Sequence, residues 1–458
     1  MIFEHIGVPE DLGIKESLFA LGNGYIGVRS SPSEGRDGLK GSQRGSYING
    51  IYERIPMHHA EMAYGFPTMI DKQPRICDTQ SIEIILDGVA LSESSLLLHY
   101  KEELDLEKGL YRRSFFWEHP SGKLASLRFM RLASFRRKEL FVYHVDIDYP
   151  GEIELRSYID TKVKNYIDQE DPRIGKVDEL LRTTQLEEDP ETTDLLSLQK
   201  TLISQQQIAC RVMHLANVER TFIREEGRLG YSFSSRDSFQ LEKRALFSDS
   251  RREEEPKKHL ERLASSLRKI SLEEIKKEQE DYLEDFWKEA KIIIEGDPES
   301  ELLINWQIFH LLQSTGRDHL SNISAKGLSG EGYEGHYFWD TEVYMLPLWQ
   351  LLSPSHARSL LDFRIATLPL AKDHAKIMGH DGGAYYPWRT ISGIESSGYY
   401  PAGSAQVHLS GDIAFSMLQE YLLTEDLDFL FSGALEVILE TARTWLELGN
   451  TDDQGFHL

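Results

Sequence analysis

The 458-residue sequence is poor in cysteine: only Cys77 and Cys210 occur, far apart along the chain. Such a pair gives neither a disulfide framework nor the spacing of a metal site, so a reducing, cytoplasmic setting is expected. Basic residues are also in deficit, with 51 Lys and Arg against 75 Asp and Glu and a formal net charge of −24. A nucleic-acid binder needs a basic footprint to displace counterions, and this chain offers none. The same acidity opposes docking on an anionic membrane surface. No apolar run approaches the roughly 20 residues that span a bilayer. The opening Met1-Ile2-Phe3-Glu4-His5 lacks the basic and apolar regions of a signal peptide. Neither nucleic acid nor membrane is therefore expected as a partner. A small anionic co-substrate stays open, because a few Arg or Lys side chains can reverse the sign of one pocket.

Catalytic signatures are scarce too. The histidines are scattered, among them His58, His59, His310, His319, His336, His374, His380 and His408. They form no H-E-x-x-H or related spacing, so no metal site is expected. No nucleophile elbow and no P-loop occurs. Gly330-Glu331-Gly332-Tyr333-Glu334-Gly335 matches the dinucleotide pattern G-x-G-x-x-G by letter. Residues 322–329 before it are not an apolar strand, and two Glu side chains would face a pyrophosphate. Those glycines are expected instead to let a loop backbone pass close to a ligand or a neighbouring loop.

What the chain does contain is typical of a globular protein: 40% hydrophobic, 10% aromatic and 28% charged residues. Its length calls for two or more domains. Residues 1–250 read mainly as β, with short alternating segments at 81–88, 140–149 and 152–156 separated by Gly, Pro and Asp turns. A β-sandwich is expected there, with residues 169–190, polar and acidic, as a long loop. Residues 251–298 carry charges of both signs and the capping-box spacing Ser271-Leu272-Glu273-Glu274, which predicts a solvated helical linker. From 299 to 458 the period is helical. A stripe of Leu302, Leu303, Trp306, Phe309 and Leu312 predicts a buried helix over 301–313, and further helices are expected over 355–378, 412–423 and 428–448. Helix–loop–helix pairs after a sandwich and a linker are compatible with an α-toroid, whose loops at one end could line a sugar pocket.

Two loops carry the chemistry. The first is Gly335-His336-Tyr337-Phe338-Trp339-Asp340-Thr341-Glu342, an aromatic face beside a carboxylate. A pyranose asks for that combination: Phe338 or Trp339 can cover its CH face while Asp340 accepts from two neighbouring hydroxyls. The competing reading makes Phe338 and Trp339 core residues and Asp340 a helix cap. The second loop, Gly382-Gly383-Ala384-Tyr385-Tyr386-Pro387-Trp388-Arg389-Thr390, repeats the theme and leads into residues 395–406.

These segments resemble glycoside hydrolase family 65, which includes the maltose, trehalose, kojibiose, nigerose and glucosylglycerol phosphorylases. The most specific stretch is Ala325-Lys326-Gly327-Leu328-Ser329-Gly330-Glu331-Gly332-Tyr333, continuing through Phe338-Trp339-Asp340-Thr341-Glu342. Residues 16–27, Gly50-Ile51-Tyr52-Glu53 and residues 104–110 also look like that family's opening β-domain. The resemblance spans essentially the whole chain. It implies a multidomain β plus α fold: an N-terminal β-sandwich, a helical linker, then an (α/α)6 barrel. It further implies that Trp339 and Asp340 bind the glucose unit on the non-reducing side of the scissile bond, and Phe338, Trp388 and Arg389 are expected beside them. The partners implied are an α-linked glucose disaccharide and inorganic phosphate as co-substrate, with no other cofactor, and a homodimer is common in the family. Phosphate would attack the anomeric carbon opposite the leaving group and give β-glucose 1-phosphate with inversion.

One departure stands out. The family's general acid is a Glu in a later Gly-Pro-Asp-Glu-Tyr motif, which nothing in this chain matches; a Lys-Gln pair among its phosphate and sugar contacts also lies later. Residues 452–458 look like the lead-in to the acid motif, so the chain is expected to be an N-terminal fragment with an incomplete barrel, inactive alone. Glu334, Glu342 and Glu395 could stand in by position, but each is expected to be structural, and no catalytic residue is assigned. The versions at 386–390 and 400–403 lean toward the trehalose, nigerose and glucosylglycerol members. Two rivals remain: an inverting hydrolase such as a trehalase, and a non-catalytic sugar-binding protein.

Overall fold

The computed structural model describes residues 1–34, 42–57, 65–92, 95–167, 176–397 and 406–457. Its N-terminal region is a large antiparallel β-structure. Strands Ile2–Ile6, Leu96–Asp105, Leu110–Glu118, Leu124–Ala133, Leu140–Asp160, Arg228–Asp249, Gln207–Leu215, Leu195–Thr201 and Leu181–Glu188 lie side by side in that order. Two of them are unusually long. Leu140–Asp160 and Arg228–Asp249 pair along almost their whole length, through a bulge between Tyr149 and Glu152. Sequence patterning predicts two strands broken at Pro150 and Gly151. The structure instead takes both residues into the bulge, which bends one strand without ending it. Beyond the bend each long strand gains a new neighbour, Ile82–Leu86 on one side and Arg220–Glu225 on the other. Phe115, Phe129, Phe141, Ile147, Ile153, Leu155 and Phe233 fill the apolar core between these parts.

The 169–190 segment corrects the expected loop. Leu181–Glu188 is a strand, paired with Leu195–Thr201 at the edge of the sheet. An edge strand meets water on its free side, so a polar, charged composition suits it and guards against further pairing. Residues 168–175 lie outside the described residues, as do His58, His59, Leu458 and the 398–405 part of the later loop.

Helices Pro256–Leu267 and Leu272–Ala290 follow, the second opened by the capping box of Ser271 and Glu274. They are packed rather than fully solvated. Leu260, Ala264, Leu267, Ile275, Leu283 and Trp287 are buried against the sheet while the charges face water. Arg244 donates to the carbonyls of Leu267, at the helix end, and of Ile270, in the link to the next helix. The Trp287 indole donates to the Leu106 carbonyl at 2.8 Å.

The helical region comprises Pro298–Ser314, Leu346–Leu352, Pro354–Ile377, His408–Thr424 and Leu435–Leu448, with π-helical turns at Thr341–Met345 and Leu430–Ala434. In Pro298–Ser314 the buried face is rotated from the predicted stripe. Leu303 is exposed, whereas Asn305 and Gln313 are buried with Phe309 and Leu312. The two amides go inside because backbone needs them. Gln313 accepts from the Gly22 N–H at 2.7 Å, and Asn305 donates to the Ile292 carbonyl at 2.7 Å. Gly24 (φ +83°) donates its N–H to the Gln313 carbonyl and has the Thr315 carbonyl where a Cβ would sit. The glycines of the 16–27 motif thus seat the β-region directly on this helix.

Candidate functional site

The two aromatic loops meet. Tyr337–Phe338 pairs with Arg389–Thr390 as a short antiparallel ladder, Tyr337 opposite Thr390 and Phe338 opposite Arg389. Around it the rings cluster. Trp339 and Trp388 lie 6.0 Å apart between centroids, Phe338 and Trp388 6.4 Å, and Trp339 meets the His408 ring edge-on at 4.8 Å. Phe338, Trp339 and Trp388 are only partly buried. Trp339 and Trp388 pack against the core, and the partly open side of the three rings is the candidate cleft.

Asp340 follows Trp339 in the chain, half-buried, directly before the Thr341–Met345 turn. It makes no capping hydrogen bond to that turn, and no hydrogen bond or ion pair joins its carboxylate to the described residues. The Trp339 indole Nε1 is also buried without an acceptor among them. A free carboxylate beside an unanswered N–H, flanked by aromatic faces, can take a polyhydroxylated ring. Arg389 is buried and donates from Nε to the Ser396 carbonyl at 3.0 Å.

The three glutamates near the cleft are engaged. Glu342 is held bidentately by Arg364, which also donates to the Phe338 carbonyl at 3.2 Å. Glu395 accepts from the N–H groups of Trp388 and Ser397, both at 2.7 Å. Glu334 is buried beside Lys72, with 3.6 Å between the charged atoms. Glu331 accepts from Tyr47 at 2.8 Å, Arg75 at 2.6 Å and the Tyr166 N–H at 2.6 Å. Tyr333 and Glu334 adopt left-handed φ of 52° and 57°. These ties to the β-region hold the turn that precedes the cleft.

Closer support comes from Asp71 and Arg364, which no local signal marked, acting on residues of the two loops. His336 donates from Nε2 to the Asp71 carbonyl at 2.6 Å. Burial keeps this imidazole well below its usual pKa, so it stays neutral and can donate at one nitrogen only. Helix Pro354–Ile377 forms the back wall. Arg364 grips Glu342, the Tyr386 hydroxyl donates to the Arg364 carbonyl at 2.8 Å, and the Tyr385 N–H donates to the Ala371 carbonyl at 2.9 Å. Ala325, Lys326, Gly327, Ser329 and Gly330 border a cavity of about 410 Å³ with Arg29, Trp306, His310 and Met345.

Comparison with known proteins gives this arrangement a family. The model described as "Glycosyl hydrolase family 65, N-terminal domain" matches residues 2–286, and that of the "Glycosyl hydrolase family 65 central catalytic domain" matches residues 305–458. An alpha,alpha-trehalose phosphorylase of Geobacillus stearothermophilus is 38% identical, over 98% of this chain and 60% of that protein. A kojibiose phosphorylase of Thermoanaerobacter brockii is 29% identical, over 94% of this chain and 57% of that protein. A solved structure of a candidate kojibiose phosphorylase from the human microbiome superposes with a TM-score of 0.87 at 22% identity, covering 99% of this chain and 60% of that one. The chain thus spans about three fifths of the length of these relatives. With both family models matched in order along it, the chain belongs to glycosyl hydrolase family 65.

Proposed function

We propose that the protein is an inverting disaccharide phosphorylase, and that the cleft at 338–340 and 388–389 holds the glucose unit of an α-linked disaccharide. The observation that carries this is a half-buried Asp340 carboxylate without a partner among the described residues, next in sequence to Trp339, whose Nε1 is likewise unpartnered among them and whose ring meets that of Trp388. Phe338 borders the ring system, and Arg389 brings positive charge to the same wall. The helices after 298 are then the first part of an (α/α)6 barrel, joined through a 251–298 linker to a β-sandwich at 1–250. The enzyme would act in the cytoplasm, commonly as a homodimer, and need no cofactor beyond phosphate.

The reaction chemistry asks little of a base. An inverting hydrolase needs one carboxylic acid for the leaving oxygen and one carboxylate to activate water. Phosphate is already anionic near neutral pH, so positioning and charge compensation replace the base. Glu334, Glu342 and Glu395 are tied into structural contacts, so none is assigned as the acid.

The names of the relatives make α,α-trehalose and kojibiose the substrates to try first. The test incubates the full-length gene product with each sugar, with and without inorganic phosphate. Glucose 1-phosphate formed only with phosphate is expected. Free glucose released equally in both would replace this reading with the hydrolase, and binding without turnover in either would leave a sugar-binding protein.

A further inference from the structure

We infer that Asp71, a residue of the β-region, is a positioning residue for the sugar cleft, setting the distance between its two loops. The inference rests on the reading of that cleft given above. Asp71 lies on strand Met69–Lys72 and is fully buried. Its backbone carbonyl accepts from His336 Nε2 at 2.6 Å, on the first loop. Its Oδ2 accepts from the N–H groups of Ile391 at 3.0 Å and Ser392 at 2.8 Å, on the second. Its own N–H donates to Ser396 Oγ at 3.1 Å.

These bonds reach both strands of the ladder that joins the loops, at the same end of it. His336 directly precedes Tyr337–Phe338, and Ile391 directly follows Arg389–Thr390. One side chain and its own backbone therefore hold both strands at the Tyr337–Thr390 end of the ladder, one residue pair away from the Phe338–Arg389 end where Trp339 and Trp388 extend. The neighbours of Asp71 reinforce the first loop: the Gln73 N–H donates to the Glu334 carbonyl at 2.9 Å, and Lys72 faces Glu334. A Cβ on Gly335 (φ +79°) would stand 2.4 Å from Gln73 Oε1, so the Gln73 side chain packs directly on this glycine. Arg54 Nε lies 3.8 Å from Asp71 Oδ1. Asp71 is the point where both loops are fastened to one strand. Without it, only the two-residue ladder is left to space Trp339 and Asp340 from Trp388.

The test compares full-length parent, Asp71→Ala, Asp71→Asn and Asp340→Ala by titration calorimetry with glucose and α,α-trehalose, by tryptophan emission and by thermal unfolding. Asparagine keeps an oxygen for the Ile391 and Ser392 N–H groups; alanine does not. Well below its unfolding midpoint, Asp71→Ala is expected to bind about tenfold more weakly or worse, because small misplacements of a positioned site are costly. Its emission should shift to the red, and Asp71→Asn should recover most of the affinity. If Asp340→Ala abolishes binding while Asp71→Ala binds like the parent, the brace is overturned and the cleft stands. If Asp340→Ala binds like the parent, the reading of the cleft fails, and an unshifted emission in Asp71→Ala then overturns the brace as well. Should Asp71→Ala not fold, Ser396→Ala removes one of its partners alone. A loss of about threefold in affinity is expected there, and unchanged affinity overturns the proposal.

Discussion

Arg364 grips Glu342 with two nitrogens, Nε to Oε1 at 2.7 Å and Nη2 to Oε2 at 2.9 Å, and each side chain is only 1% exposed. The pair ties the turn after Asp340 to the long helix behind it. Removing one partner of a buried pair strands the other charge, which costs about 3–5 kcal/mol. Arg364→Ala is therefore expected to lower the stability measured by urea unfolding by that amount. Glu342→Gln keeps the shape and an acceptor, and should cost about half as much. Equal stability in parent and Arg364→Ala would remove the pair from the account of the site.

Asp340 should behave in the opposite way. Its carboxylate has no hydrogen-bonding partner among the described residues, so Asp340→Ala should leave circular dichroism and the unfolding midpoint nearly unchanged. Glucose binding should fall by about 2–3 kcal/mol or vanish, as for a lost hydrogen bond to a charged group. Preserved affinity, read by calorimetry, would return Asp340 to a purely structural part.

Trp388 borders Trp339 and Phe338 without being sealed in the core. Trp388→Ala should weaken disaccharide binding by about 1–2 kcal/mol, through lost stacking surface. Sugar-induced change in tryptophan emission should shrink with it. An unchanged affinity would take Trp388 out of the cleft.

Stability should depend on pH through buried histidines. Burial holds both His310 and His356 at a pKa of about 4, against 6.5 for a free ring. Between those values the unfolded chain binds protons that the folded chain does not. Stability therefore falls as pH drops from about 6.5 to about 4, by at most roughly 3 kcal/mol for each ring, and the loss saturates below. His310→Gln should flatten this slope relative to the parent in urea midpoints measured across that range. Parallel curves for the two proteins would show that His310 is not held neutral.

How much of this was legible in the sequence depended on how far each signal reaches. Ser271 and Glu274 cap a helix three residues away, and that box was readable. Leu181–Glu188 was not, because an edge strand need not alternate, and its partner begins beyond the turn at 189–194. Pro150 and Gly151 looked like a break because a bulge and a turn use the same residues. The two aromatic loops were found by composition, but their pairing was not, since a two-residue ladder leaves no period. Asp71 had no signal at all: Met69-Ile70-Asp71-Lys72 reads as an ordinary strand, and its partners lie 265 to 325 residues later.

The fastening of residues 331–336 and 391–396 to the strand at 69–73 bears on how such proteins can be recombined. The family models part between residues 286 and 305, which marks an obvious seam for exchanging halves between relatives. The cleft does not respect that seam. A chimera joined there inherits its rings and carboxylate from one parent and the residues that space them from the other. The heritable unit is the three segments together, and exchanging the two loops with their strand should preserve the cleft where exchanging either alone would not.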